Sequence, residues 1–88
     1  MNLISRVCFE FGVHQDSIYK QPYSKQERLA RRVIAYLLYP DLPNEKILLR
    51  LNISSLPSLY NDITWVRDRM AIDKGFKQKV VNIKKDLK

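Results

Sequence analysis

Residues 43–72, PNEKILLRLNISSLPSLYNDITWVRDRMAI, decide the fold of this chain. The stretch predicts a short helix from Asn44 to Leu51, a turn over residues 52–55 and then a longer helix. Ser55 can accept hydrogen bonds from the amides at the start of that helix, and Pro57 suits the first turn because no amide partner is needed there. The apolar stripe of the longer helix has spacings of three and four residues and comprises Leu56, Leu59, Ile63, Val66 and Met70.

Two helices joined in this way indicate a helix-turn-helix unit, whose second helix is a candidate reader of a DNA major groove. An ordinary corner between two helices of a small helical domain is the alternative. The unit alone does not separate these interpretations, so the flanking segments matter.

The segment before this unit also has helical periodicity. Residues 2–11 form an amphipathic pattern that Gly12 can end. The connector 13–23 has room for one helical turn around Asp16 to Tyr19. Ser24 and Glu27 match the S-x-x-E capping box, which predicts a long helix from Ser24 to about Tyr39.

The last predicted helix runs from Phe76 to Leu87, after a break at residues 73–75. No part of the chain alternates apolar and polar residues as a half-buried strand does. We therefore expect a single all-α domain over residues 1–88, with about five helices.

The composition favours a polyanionic partner. Sixteen lysines and arginines against nine acidic residues give a net charge of +7, which suits nucleic acid. Cys8 is the only cysteine and falls on an apolar helix face, so we expect it in the core of a protein from a reducing compartment such as the cytoplasm. His14 is the only histidine, and without a second ligand we expect a polar surface role and no metal. No apolar run approaches the ~20 residues that a membrane span needs, so no membrane partner is expected.

Four cations crowd the first two turns of the long helix: Lys25, Arg28, Arg31 and Arg32. Cations are unfavourable near a helix N-terminus, so this cluster needs a reason other than helix stability. Contact with DNA phosphates is one such reason, and a solvated helix face is the alternative.

The sequence offers no enzyme chemistry. Gly12 and Gly75 are its only glycines, so a phosphate-cradling glycine-rich loop is excluded. Asp62 and Asp68 lie among arginines, where we expect surface ion pairs. We therefore expect a non-enzymatic protein with no cofactor and no small-molecule substrate.

The arrangement resembles the C-terminal DNA-binding domain (domain IV) of the bacterial replication initiator DnaA, in the Trp-repressor-like helical group. The resemblance spans nearly the whole chain. It is carried by Phe11-Gly12-Val13, by Ala30-Arg31-Arg32 in the long helix, by Ile47 and Leu51, and by the spacing of Ile63-Thr64-Trp65-Val66 to Leu87. It implies the same fold and binding to double-stranded DNA. The protein would then act in replication or transcription, either as a protein of a phage or mobile element or as a regulator of replication.

The chain departs from that family at the start of the recognition helix. The family has G-G-R-D-H-T-T there, whereas this chain has Asn52-Ile53-Ser54-Ser55-Leu56-Pro57-Ser58. Only Ser58 could replace a threonine hydroxyl, so the resemblance does not extend to the target sequence. The family's minor-groove arginine comes from the basic loop before the long helix, to which Lys25 and Arg28 lie nearest.

The candidate contacts on the second helix follow from its helical angles. Its side opposite the apolar stripe carries hydroxyl and amide groups suited to bases or phosphates, and the candidates are Ser54, Ser55, Ser58 and Asn61. Trp65 points the same way and is either covered by a neighbouring segment or exposed. An exposed Trp65, with the nearby tyrosines, would suit a protein interface, and a protein-interaction module is therefore the alternative function.

Overall fold

The computed structural model describes residues 2–19 and 24–87, and all of its regular structure there is helical. Its elements are α1 (Leu3–Phe11), a 3₁₀ helix (Gln15–Tyr19), α2 (Lys25–Leu38), α3 (Asn44–Leu51), α4 (Leu56–Ile72) and α5 (Lys74–Asp86). No strand occurs within the described residues, so the predicted all-α class with five α-helices is confirmed. The predicted helical turn before α2 is the 3₁₀ helix, and the rest of that connector, residues 20–23, lies outside the described residues.

Local sequence signals set the ends of these helices. Gly12 ends α1 in the left-handed conformation, with φ 67°. The Ser24–Glu27 capping box is complete: the amide of Ser24 donates to Oε1 of Glu27 over 2.8 Å, and the amide of Glu27 donates to Oγ of Ser24 over 3.1 Å. Asn52 ends α3 with φ 54°, a left-handed conformation that asparagine adopts more readily than most other residues.

α2 lies at the centre of the fold and contacts α1, the 3₁₀ helix, α3 and α4, while α5 packs on α1 and α4. Every helix contributes to one hydrophobic cluster. The side chains of Val33 and Ile34 from α2, Leu59 and Val66 from α4, and Ile83 from α5 have no exposed surface there. Cys8 is buried in the same cluster, as predicted, and burial raises the pKa of its thiol.

The apolar side of α4 differs from the predicted stripe at three of its five residues. Leu56, the first residue of α4, is 41% exposed. Ile63 and Met70 are half-buried, so Leu59 and Val66 are the fully buried members. The break predicted at residues 73–75 is also too long: α4 and α5 are separated by Asp73 alone, whose side chain accepts from the amide of Phe76.

No helix in the described part of the chain is long and apolar enough to cross a bilayer.

Candidate nucleic-acid interface

Two of the four cations of α2 face α4 and meet a single carboxylate there. Nη2 of Arg31 lies 3.5 Å from Oδ2 of Asp62, and Nε of Arg32 donates to Oδ1 of Asp62 over 3.3 Å. The two arginine side chains are only 13% and 26% exposed. The seam between α2 and α4 thus gives both arginines an intramolecular role, and their position near the start of α2 has a cause other than DNA.

Asp62 is the buried charge of this seam, with 7% of its surface exposed. The expectation that it forms a surface ion pair is therefore wrong, because α2 packs directly over it. Loss of hydration on burial raises the pKa of this carboxyl, although the positive charges of Arg31 and Arg32 act in the opposite direction. A buried carboxylate needs such partners, so the arginines and Asp62 fix one another across the seam.

Trp65 continues the seam as a half-buried aromatic. The guanidinium of Arg32 lies 4.6 Å from the centre of its ring, a cation–π contact. On α5, Phe76 packs edge-on against the indole with the ring centres 6.0 Å apart, and Phe11 of α1 lies 6.3 Å beyond Phe76. Of the two possibilities for Trp65, covered or exposed, the structure shows the first: α5 and Arg32 cover its ring.

Lys25 and Arg28 differ from the two seam arginines because both are exposed. Arg28 is one turn before Arg32 on the edge of α2 that borders α4, and it forms no ion pair within the described residues. These two cations therefore remain available to an external anion.

The four polar residues predicted to contact DNA, in the connector 52–55 and the first turns of α4, fall into two groups. Ser54 and Asn61 are exposed. Ser55 caps α4, since its Oγ accepts from the amide of Ser58 over 3.4 Å and donates to Oγ of Ser58 over 3.1 Å. Ser55 and Ser58 are half-buried and hydrogen-bond to each other. The polar groups exposed to a ligand are therefore those of Ser54 and Asn61.

The exposed side of α4 adds two polar residues that helical angles alone did not single out, Thr64 and Arg67. Thr64 follows Asn61 by three residues and Arg67 follows Thr64 by three, so each is a surface neighbour of the one before it. The signal in the sequence was that spacing of three residues.

Most acidic side chains have a partner within the molecule, whereas most exposed cations do not. Asp62 lies in the seam, Glu27 and Asp73 cap helices, and Glu10 and Asp86 bind Arg6 at 3.1 and 2.8 Å. Asp41, Glu45 and Asp68 are exposed and form no ion pair within the described residues. The exposed cations without an ion pair in the described part of the chain are Lys25, Arg28, Lys46, Arg50, Arg67, Lys74, Lys77, Lys79, Lys84 and Lys85. The excess of positive charge therefore lies at the surface.

Comparison of the chain with protein-family profiles, with curated proteins and with solved structures finds no match.

Proposed function

We propose that this protein binds double-stranded DNA without catalysing a reaction, with α3, the connector 52–55 and α4 acting as a helix-turn-helix unit. The observation that carries the proposal is the local excess of exposed cations at the start of α2, where Lys25 and Arg28 form no ion pair within the described residues. Such an excess attracts the phosphate backbone whatever the base sequence. The resemblance to the DNA-binding domain of the replication initiator DnaA points to the same partner.

Phosphate contact is assigned to Lys25 and Arg28, the two exposed cations in the first turns of α2. Arg31 and Arg32 act indirectly in this proposal. Their pairing with Asp62 holds α2 against α4, and so sets the distance between the phosphate-binding cations and the groove-facing side of α4.

Base contact is assigned to the exposed polar side of α4 and the residue before its cap. Ser54, Asn61 and Thr64 offer hydroxyl and amide groups, and Arg67 offers a guanidinium, the side chain that most often reads guanine in the major groove. These residues replace the aspartate, histidine and threonine of the family's signature, so the target sequence differs from that of the initiator.

The biological setting follows from this function as part of the same proposal. Regulation of replication or transcription, in the cytoplasm of a bacterial cell, is the setting in which such a domain acts. Trp65 is not assigned to a protein interface, since Arg32 and Phe76 occupy its two neighbouring sides.

Fluorescence anisotropy with a labelled random-sequence duplex at low salt tests the proposal. Wild-type protein should bind, and Arg28→Gln should weaken binding about fivefold, the factor that corresponds to ~1 kcal/mol for an exposed ion pair. Lys84→Gln is the matched control: it removes the same charge near the opposite end of the fold and should leave affinity nearly unchanged. No binding by the wild type, or equal losses in both variants, would exclude the proposed interface.

A further inference from the structure

A row of depressions lies at the end of the molecule where α2 finishes. Three adjoining depressions have volumes of about 420, 310 and 430 Å³. The first two share Leu3 and Leu38 as a common wall, and the second and third share Arg50. We call this row the leucine groove, after the leucines that line it: Leu3, Leu37, Leu38, Leu42, Leu49 and Leu87.

The leucine groove exposes apolar surface that folding alone does not explain. Leu49 is 84% exposed on α3, and Leu87 is 37% exposed after α5. Leu42 is half-buried beside Leu49. Single exposed apolar residues are common, but apolar residues that line connected depressions are typical of a binding surface.

The rim of the leucine groove is positively charged. Lys46 and Arg50 line the depression that holds Leu49, and Lys84 lines the one that holds Leu87. None of these three cations forms an ion pair within residues 2–19 and 24–87. Among the described residues, Asp41 is the one acidic residue that lines the row. The complement of this surface is a ligand with apolar side chains flanked by carboxylates.

The leucine groove is separate from the proposed DNA interface. Leu38 lies ten residues after Arg28 on α2, which is about 15 Å along the helix axis. Leucine side chains offer nothing to a phosphate backbone, so the groove is not an extension of the phosphate-binding surface.

We propose that the leucine groove binds an acidic, amphipathic segment of a partner protein, with leucine-like side chains in the depressions and carboxylates against Lys46, Arg50 and Lys84. A second copy of this chain is a poor occupant, because each copy carries a net charge of +7. A bilayer is also a poor occupant, because the leucines line depressions, which a flat lipid surface does not fill. The segment would bind as an amphipathic helix in a groove, and would add a protein partner to the proposed DNA-binding function.

Selection of random 12-residue peptides displayed on phage against the whole protein tests this proposal. Enriched peptides should combine Asp or Glu with Leu, Ile or Phe spaced three or four residues apart. For a synthetic copy of the best peptide, Leu49→Ala should weaken affinity roughly ten- to a hundredfold, the factor for returning a leucine contact to water. Arg50→Gln should also weaken it, while Arg28→Gln should have no effect.

The same variants separate this proposal from the proposed DNA binding. Leu49→Ala should leave affinity for random duplex unchanged, so either function can fail without the other. The peptide proposal is overturned if no acidic peptide is enriched over a protein-free control, or if peptide binding is unchanged in Leu49→Ala. It is also overturned in favour of a lipid or nucleic-acid surface if Leu49→Ala abolishes binding to anionic phosphatidylserine vesicles or to duplex.

Discussion

Glu27 is a single side chain on which the start of α2 depends. Its carboxylate accepts from the backbone amide of Ser24, while Ser24 accepts from the amide of Glu27. The hydrogen bond from that backbone amide lowers the pKa of Glu27, with a smaller contribution from the hydroxyl of Ser17. The stability that Glu27 gives to the first turn of α2 therefore depends on pH.

The sign of the dependence follows from the lowered pKa. Because the folded-state pKa lies below the unfolded value, the contribution of Glu27 is present above the unfolded pKa and is lost as pH falls through the folded one. We expect Glu27→Gln to lower the free energy of unfolding at pH 7 and to have a smaller effect at pH 3. Urea unfolding at both pH values measures this, with Glu45→Gln in the first turn of α3 as the control. An effect of the same size at both pH values would contradict the role of the carboxylate.

The burial of Asp62 and its pairing with two arginines could not be predicted from its neighbours in the sequence. A charged residue among arginines on an amphipathic helix is normally solvated, although Asp62 lies three residues after Leu59 and four before Val66, the fully buried residues of α4. The reason lies in α2. Arg31 and Arg32 precede the buried Ala35 by four and three residues, so they face α4, and both contact the carboxylate of Asp62. Pairing between residues thirty positions apart is not visible in either helix alone.

At the scale of elements, the packing of α4 on α2 forms the largest part of the core. Leu59 and Val66 are fully buried in the cluster that also contains Val33, Ile34 and Leu37. The predicted burial of Leu59 and Val66 is confirmed, whereas Ile63 is only half-buried.

A matched pair of leucine truncations tests this assignment. We expect Leu59→Ala to lower the free energy of unfolding by about 2–5 kcal/mol, the range for a buried leucine that leaves a cavity. Leu49→Ala removes the same atoms from a residue that is 84% exposed, and should change stability by no more than about 0.5 kcal/mol. Equilibrium denaturation at one protein concentration compares them. Similar losses in both variants would mean that the buried face of α4 is misassigned.

The elements themselves were largely predictable because their signals are local. Gly12, the capping box at Ser24 and the cap at Ser55 each act within a few residues, and the structure has them where the sequence places them. The boundary between α4 and α5 was missed because Gly75 is usually a helix breaker, yet it is accommodated within the first turn of α5 after the Asp73 cap. The sequence left open whether Trp65 is covered or exposed, because its surroundings depend on contacts with α2 and α5.

At the scale of the whole molecule, two surfaces lie near opposite ends of α2. The first turns of α2 carry Lys25 and Arg28 beside the seam with α4, and its last turns contribute to the leucine groove. In our account the first surface binds DNA and the second binds an acidic protein segment. One small helical fold would then bring a protein partner to DNA without either ligand contacting the other's site.

Salt dependence of duplex affinity tests the central claim, DNA binding through exposed phosphate-binding cations, most directly. For wild-type protein, log affinity for random duplex should fall linearly with log salt, with a slope of roughly −0.9 for each phosphate contacted. Arg28→Gln should flatten the slope by about one unit. Arg32→Gln, which removes a seam residue, should lower thermal stability but leave the slope of the folded protein unchanged. A slope near zero for the wild type, or a slope that flattens in Arg32→Gln and not in Arg28→Gln, would contradict this account.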